Sequence, residues 1–182
     1  MNHAASVEGR ERLRLFCALR LPDEVVDALV EWGGRHLAAR VVPRANLHIT
    51  LAFLGHRPAE ELDAILAATG ASATAAQPIR LEPLRYRETR SVGMLVLADE
   101  EDASTNLAED LFGRLEALGV YEREQRRWLP HLTVVRFRQR PRLDPPLPEL
   151  GAFSPSDAAV YLSRLRSTGA QYEVVQSFLL GG

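Results

Sequence analysis

Residues 46–55, NLHITLAFLG, and residues 130–137, PHLTVVRF, carry one pattern twice: an apolar run of strand length in which a histidine is followed two places on by a threonine. Side chains alternate along a strand, so His48 and Thr50 share one face, as do His131 and Thr133. Continued along the first run, the alternation adds Ala52 to the His48 face and sends Ile49, Leu51 and Phe53 to the other. A chain that builds the same half-polar strand in its first and second halves is thereby constrained. Two similar half-chains can meet so that both His-x-Thr faces line one groove.

The rest of the pattern supplies the frame. LRLFCALRL reads as a strand, and LPDEVVDALVEWGGRHLAARV as a helix opened by Pro22 and Asp23 and weakened late by Gly33 and Gly34. RPAEELDAILAATG reads as a second helix, with Pro58 at its start and Gly70 at its end. Strands are expected at IRLEPLRY and GMLVLAD around the turn-like RETRSV. The acidic DEEDAS then charges the start of a helix over TNLAEDLFGRLEALG, where negative charge favours the helix dipole. HLTVVRF, DAAVYLSRL and YEVVQSFLL close the chain as strands around the Pro-rich loop RQRPRLDPPLPELG. No linker is long enough to separate independent domains. The expectation is an α+β fold with mainly antiparallel sheets, one domain over residues 1–182.

Composition enters through what it excludes. With 182 residues, 46% of them hydrophobic, the chain can bury a sizeable core. Its one cysteine, Cys17, sits in the apolar LFCAL, which reads as a buried reduced thiol and leaves no disulfide framework or cysteine metal cluster. The polar opening MNHAASVEGRERLR has no apolar signal core, and no run approaches the roughly 20 residues that cross a bilayer, so a soluble cytoplasmic protein is expected. All 22 basic residues are arginine, which excludes a lysine nucleophile, Schiff base or P-loop lysine. Seven of these arginines (123, 126, 127, 136, 138, 140 and 142) crowd between Tyr121 and Arg142 against Glu122 and Glu124, a stretch that can attract phosphates or simply face solvent.

Two histidines on one groove suit phosphodiester hydrolysis without a metal, which needs one group to deprotonate water and another to protonate the leaving oxygen. Histidine does either near neutral pH. The threonine hydroxyls can donate to the non-bridging oxygens as charge gathers there. A zinc site normally takes three or four protein ligands, and His3, His36 and His56 have no useful spacing with the pair. No metal and no cofactor are expected.

On these residues the chain resembles the two-histidine phosphoesterases, and within them the bacterial RNA 2′,3′-cyclic phosphodiesterases, also described as 2′-5′ RNA ligases. The likeness runs nearly end to end: RLFCALRLP, NLHITLAFLG, PHLTVVR, YLSRL and GAQYEVVQSFLL. It implies a two-lobed fold with pseudo-twofold symmetry, a central cleft and helices on the outer faces. It also implies a metal-independent hydrolase that opens terminal 2′,3′-cyclic phosphates to 2′-phosphates, with His131 activating water and His48 protonating the leaving 3′-oxygen. The substrates implied are RNA ends or small cyclic nucleotides, met by a monomer away from membranes. Thr50 and Thr133 match phosphate-binding positions, and Arg136 matches an arginine that contacts the phosphate. Strict alternation sets Arg136 on the face opposite His131, a conflict that a bulge or strand end would remove. Phe16 and Phe53 fall where the family carries aromatics, with base stacking and core burial both open. In RSVGMLVL, where related sequences often have a tryptophan, this chain has Met94 and aliphatics. Two alternatives stand beside the hydrolase: a ligase running the reverse reaction in the same site, and a noncatalytic RNA-binding module that would use the arginine stretch but leave both His-x-Thr pairs without a purpose.

Overall fold

The computed structural model describes residues 11–37 and 40–181. The chain runs through β1 (Arg12–Arg20), α1 (Asp23–His36), β2 (Arg40–Val41), β3 (Ile49–Pro58), α2 (Leu62–Ala75), β4 (Leu81–Glu88), β5 (Val92–Asp99), α3 (Ala103–Ala117), β6 (His131–Arg136), β7 (Asp157–Arg166) and β8 (Gly169–Leu179). The described strands form two four-stranded sheets, ordered β3-β1-β7-β8 and β2-β6-β5-β4. Every pairing in them is antiparallel. The fold is thus α+β, as the pattern implied, with one His-x-Thr motif at a strand of each sheet; His48 immediately precedes β3, and His131 opens β6.

Alternation decides which face of each sheet is dry. On β1, Leu15, Cys17 and Leu19 are fully buried. They point toward α2, where the Thr69 hydroxyl lies 3.5 Å from Cys17 Sγ. Burial pushes the Cys17 thiol up to about 11, so it is an inert core group. Leu95, Leu132 and Val135 of the second sheet belong to the same continuous apolar cluster as these β1 residues. Each such side chain contributes about 1.5–3 kcal/mol on burial, and their continuity ties the two sheets together.

The acidic segment before α3 works as its composition suggests. The Asp99 carboxylate accepts the N–H groups of Ser104 and Thr105 at 2.9 and 2.8 Å and the Thr105 hydroxyl at 2.7 Å. Orphan donors at the helix start are thereby satisfied, with negative charge at the positive end of the dipole. The Pro-rich loop is held at two points. Trp32 Nε1 donates to the Pro146 carbonyl at 2.7 Å. Glu88, with only 2% of its side chain exposed, accepts from Arg140 Nε and from the Arg142 and Leu143 N–H groups.

Three element boundaries differ from expectation. Pro58, read as the start of the second helix, is the last residue of β3, and α2 begins at Leu62. Helix α1 ends at His36, and Val41 lies instead in β2, where it pairs with Val135 of β6. Helix α2 does not stop at Gly70 but runs on to Ala75. Gly70 is a close-approach glycine: a Cβ there would sit 2.9 Å from the Phe178 ring of β8, which packs across the helix. Among the described residues no helix is long and apolar enough to cross a membrane. His3 lies outside the described residues.

Candidate active site

The site is set by two matching irregularities. In β3, Thr50 lies opposite Ala18 but Ala52 lies opposite Cys17, so Leu51 is an extra residue. In β6, Thr133 lies opposite Met94 but Val135 lies opposite Gly93, so Val134 is extra. Directly opposed residues of an antiparallel pair share a face, and an inserted residue reverses the faces of all that follow. Both bulges come immediately after the threonine, and both deliver the fifth residue beyond the histidine into the cleft: Phe53 in the first motif, Arg136 in the second.

This resolves the conflict over Arg136 and corrects the alternation drawn for the first strand. Arg136 lies opposite Val92, on the face of His131 and Thr133. Ala52 is a core residue, sharing Cys17's face, whereas Phe53 faces the cleft opposite Phe16 and is 49% exposed. Strict period-two counting reversed these two because it cannot see an inserted residue.

The cleft encloses about 1570 Å³ and brings together His48, Thr50, His131, Thr133, Arg136, Phe16 and Phe53 from the two sheets. The histidines are held alike. His48 Nδ1 donates to the Asn46 carbonyl at 2.8 Å, and His131 Nδ1 donates to the Leu129 carbonyl at 2.8 Å. A carbonyl only accepts, so Nδ1 carries the proton in each ring and Nε2 remains for the cleft. His48 Nε2 accepts from the Thr50 hydroxyl at 3.0 Å.

Their surroundings differ. The His48 ring packs among Phe16, Tyr161 and Tyr172, with centroids 4.9, 5.8 and 5.4 Å away. Burial lowers its pKa to about 4; the Asn46 carbonyl opposes this, and the positive charges of Arg136 and His131 add to it. Phe16 is 3% exposed and stacked on Tyr161 at 4.8 Å, so it braces His48 and offers no face to a base. Phe53 carries the Arg14 guanidinium 4.7 Å from its ring centre, and Arg14 also donates to the Ser163 hydroxyl at 2.6 Å.

The arginine stretch is less free than its composition suggests. Arg123 pairs with Glu109 and Glu116, Arg126 with Glu124, Arg127 with Asp102 and Arg140 with Glu88. Among the described residues no three His, Cys, Asp or Glu side chains gather as a metal-ligand set. Two contributors escaped the sequence reading. Trp128, three residues before His131, donates from Nε1 to the Thr50 carbonyl at 3.1 Å, joining the two motifs directly. Asn46 orients His48 through its carbonyl and holds the β7–β8 turn through its side chain, which donates to the Ala170 carbonyl at 3.0 Å. Both lie beside the motifs, where a polar or aromatic residue next to a His-x-Thr strand was the available signal.

Two antiparallel sheets, each bringing one His-x-Thr pair to a shared cleft, define the two-histidine phosphoesterase architecture. Comparison with known proteins agrees. The model of the 2′-5′ RNA ligase superfamily matches residues 21–168, and the chain belongs to that family. It is 34% identical to the RNA 2′,3′-cyclic phosphodiesterase of Thermus thermophilus, over 93% of this chain and 91% of that one. The RNA 2′,3′-cyclic phosphodiesterase of Escherichia coli is 25% identical over 93% of this chain and 98% of its own. Among solved structures, E. coli LigT complexed with 3′-AMP superposes with a TM-score of 0.80 at 25% identity, covering 94% of this chain and all 100% of LigT. TT0787 of T. thermophilus gives a TM-score of 0.76 at 32% identity, covering 93% of this chain and 99% of its own.

Proposed function

We propose that the chain is a metal-independent RNA 2′,3′-cyclic phosphodiesterase that opens terminal 2′,3′-cyclic phosphates to 2′-phosphates with His48 and His131 as acid and base. The observation that carries this reading is the matched tethering of the two rings: each Nδ1 is spent on a backbone carbonyl, leaving each Nε2 for the same cleft.

Opening the ring by water requires in-line attack, so base and acid must flank the phosphorus, as groups from two facing sheets do. His131 Nε2 takes the proton of the attacking water. His48 Nε2 gives a proton to the departing 3′-oxygen. With a pKa of about 4, His48 is neutral at pH 7 until a phosphate binds. A phosphate between the histidines supplies the negative charge that offsets Arg136 and His131, which raises the affinity of His48 for its proton. The Thr50 hydroxyl, released from a protonated Nε2, then joins Thr133 and Arg136 in holding the non-bridging oxygens. A 5′-hydroxyl in place of water would yield a 2′-5′ linkage at the same centre, which is how the ligase reading fits these residues. The reading has the protein act as a monomer in the cytoplasm on RNA ends or small cyclic nucleotides.

The test is turnover of a 2′,3′-cyclic mononucleotide in excess EDTA and without ATP, with the product identified as the 2′-phosphate. Activity lost on chelation and restored by a divalent ion, or a 3′-phosphate product, would overturn it.

A further inference from the structure

The second sheet carries a row of three cations, of which the two-histidine chemistry uses only Arg136. Arg136 lies directly opposite Arg40 of β2 on one side and Val92 of β5 on the other. One register step away, Thr133 lies opposite Met94, and Met94 lies opposite Arg87 of β4. Opposed residues share a face, so Arg40, Arg136 and Arg87 all stand on the cleft side of this sheet, and all three line the cleft. They span three strand spacings, roughly 14 Å.

Their charges are uncompensated. All three are exposed. Among the described residues none of them has a carboxylate within ion-pair distance, unlike Arg123, Arg126 and Arg127 elsewhere on the cleft rim. Repulsion between Arg40 and Arg136, side by side on neighbouring strands, costs stability unless something negative comes between them. The first sheet faces this row with an exposed aromatic, Phe53, which carries the Arg14 guanidinium on its ring, and with Tyr172. One wall of the cleft is therefore cationic, and the other presents aromatic rings with Arg14 beside Phe53.

We infer that the arginine row is a track for the sugar–phosphate backbone of single-stranded RNA, held by Arg40 and Arg87 on either side of the phosphate at Arg136, with the bases turned toward the first sheet. A polyanion with flat apolar bases complements both walls, and neither an isolated anion nor a mononucleotide spans the row. This rests on the proposed phosphodiesterase reading, and it assigns that site a polynucleotide with phosphates beyond the terminal one.

The experiment measures binding of a fluorescein-labelled single-stranded RNA oligonucleotide ending in a 3′-phosphate, at a series of salt concentrations, to the whole protein and to the Arg40→Ala and Arg87→Ala variants. Each lost phosphate contact should weaken binding roughly 3- to 10-fold at low salt and make the slope of log K against log salt shallower by about 0.7. Arg87→Glu should weaken it further. Slopes and affinities equal to those of the unaltered protein, with circular dichroism unchanged, overturn the track. Turnover of a 2′,3′-cyclic mononucleotide, measured alongside, tests the phosphodiesterase reading separately: its absence overturns that reading whatever the RNA binding shows.

Discussion

At the residue scale the two histidines have matched tethers and unmatched surroundings, and the difference can be measured. His48→Ala and His131→Ala should each lower turnover by about 10²–10⁴ with the fold retained, as removal of a general acid or base does. Thr50→Ala and Thr133→Ala should cost less, roughly 10–10³, since each deletes one donor to the phosphate oxygens. A substrate with sulfur at the 3′ position separates the roles, because a thiolate leaves with little need of a proton. His48→Ala should regain rate on it and His131→Ala should not; the converse recovery would reverse the assignment. His48 also has a signature in stability. Its pKa falls from 6.5 to about 4 on folding, so between those values the unfolded chain binds more protons than the folded one. Stability therefore rises with pH across that window and is lost as pH falls through it, by up to about 3 kcal/mol. The groups facing the ring are Tyr161, Tyr172, His131 and Arg136. In denaturant titrations from pH 7 to pH 4, His48→Asn should lose less stability than the unaltered protein. Equal losses would mean that the ring is as easily protonated folded as unfolded.

The element scale is set by two strand bulges and by the glycine opposite the second of them. Gly93 lies opposite Val135, and a Cβ on it would come within 2.1 Å of the Tyr86 hydroxyl and 2.6 Å of Val135 Cγ1. Tyr86 uses that space to reach Glu88 at 3.1 Å, the carboxylate that anchors the Pro-rich loop. Gly93→Ala should destabilise by about 1–3 kcal/mol, lowering Tm by roughly 3–10 °C, since neither neighbour can retreat from a packed core. An unchanged Tm would show that Tyr86 moves freely. These elements also mark how far the sequence was legible. The strands and helices were, because period 2 and period 3.6 are written into apolar spacing, and so was the pairing of His48, Thr50, His131 and Thr133 on shared faces. Leu51 and Val134 were not, because an inserted residue looks like any other apolar residue of a strand; it moved Phe53 into the cleft and Ala52 out of it. The two-residue β2 is too short to carry a period. Gly70 read as a helix stop because only the long-range packing of Phe178 gives it another purpose, and Arg123, Arg127 and Arg140 read as free because their carboxylate partners lie outside the arginine stretch.

For the whole molecule the question is what fixes the distance between two motifs that belong to different sheets. The shared apolar core aligns the sheets in general, but β3 is an edge strand, and its position against β6 needs a local strut. Trp128 supplies it: the residue precedes the second motif, and its indole N–H is bonded to the carbonyl of Thr50 in the first. Trp128→Phe keeps most of the ring volume and deletes that one donor, so stability should fall by only about 1 kcal/mol. The effect on turnover should be larger in proportion. Acid and base must straddle one phosphorus, and a displacement of about 1 Å between catalytic groups can cost 10²-fold, so a loss of roughly 10-fold in kcat is expected where the histidines drift by less. KM should change little, because Arg136 and Thr133 remain together on β6. Measuring kcat, KM and Tm for the one variant distinguishes a strut from ordinary packing: a merely structural tryptophan would lower Tm while leaving kcat per folded molecule intact. That result would mean that the two sheets hold the histidines in register without a link between the motifs.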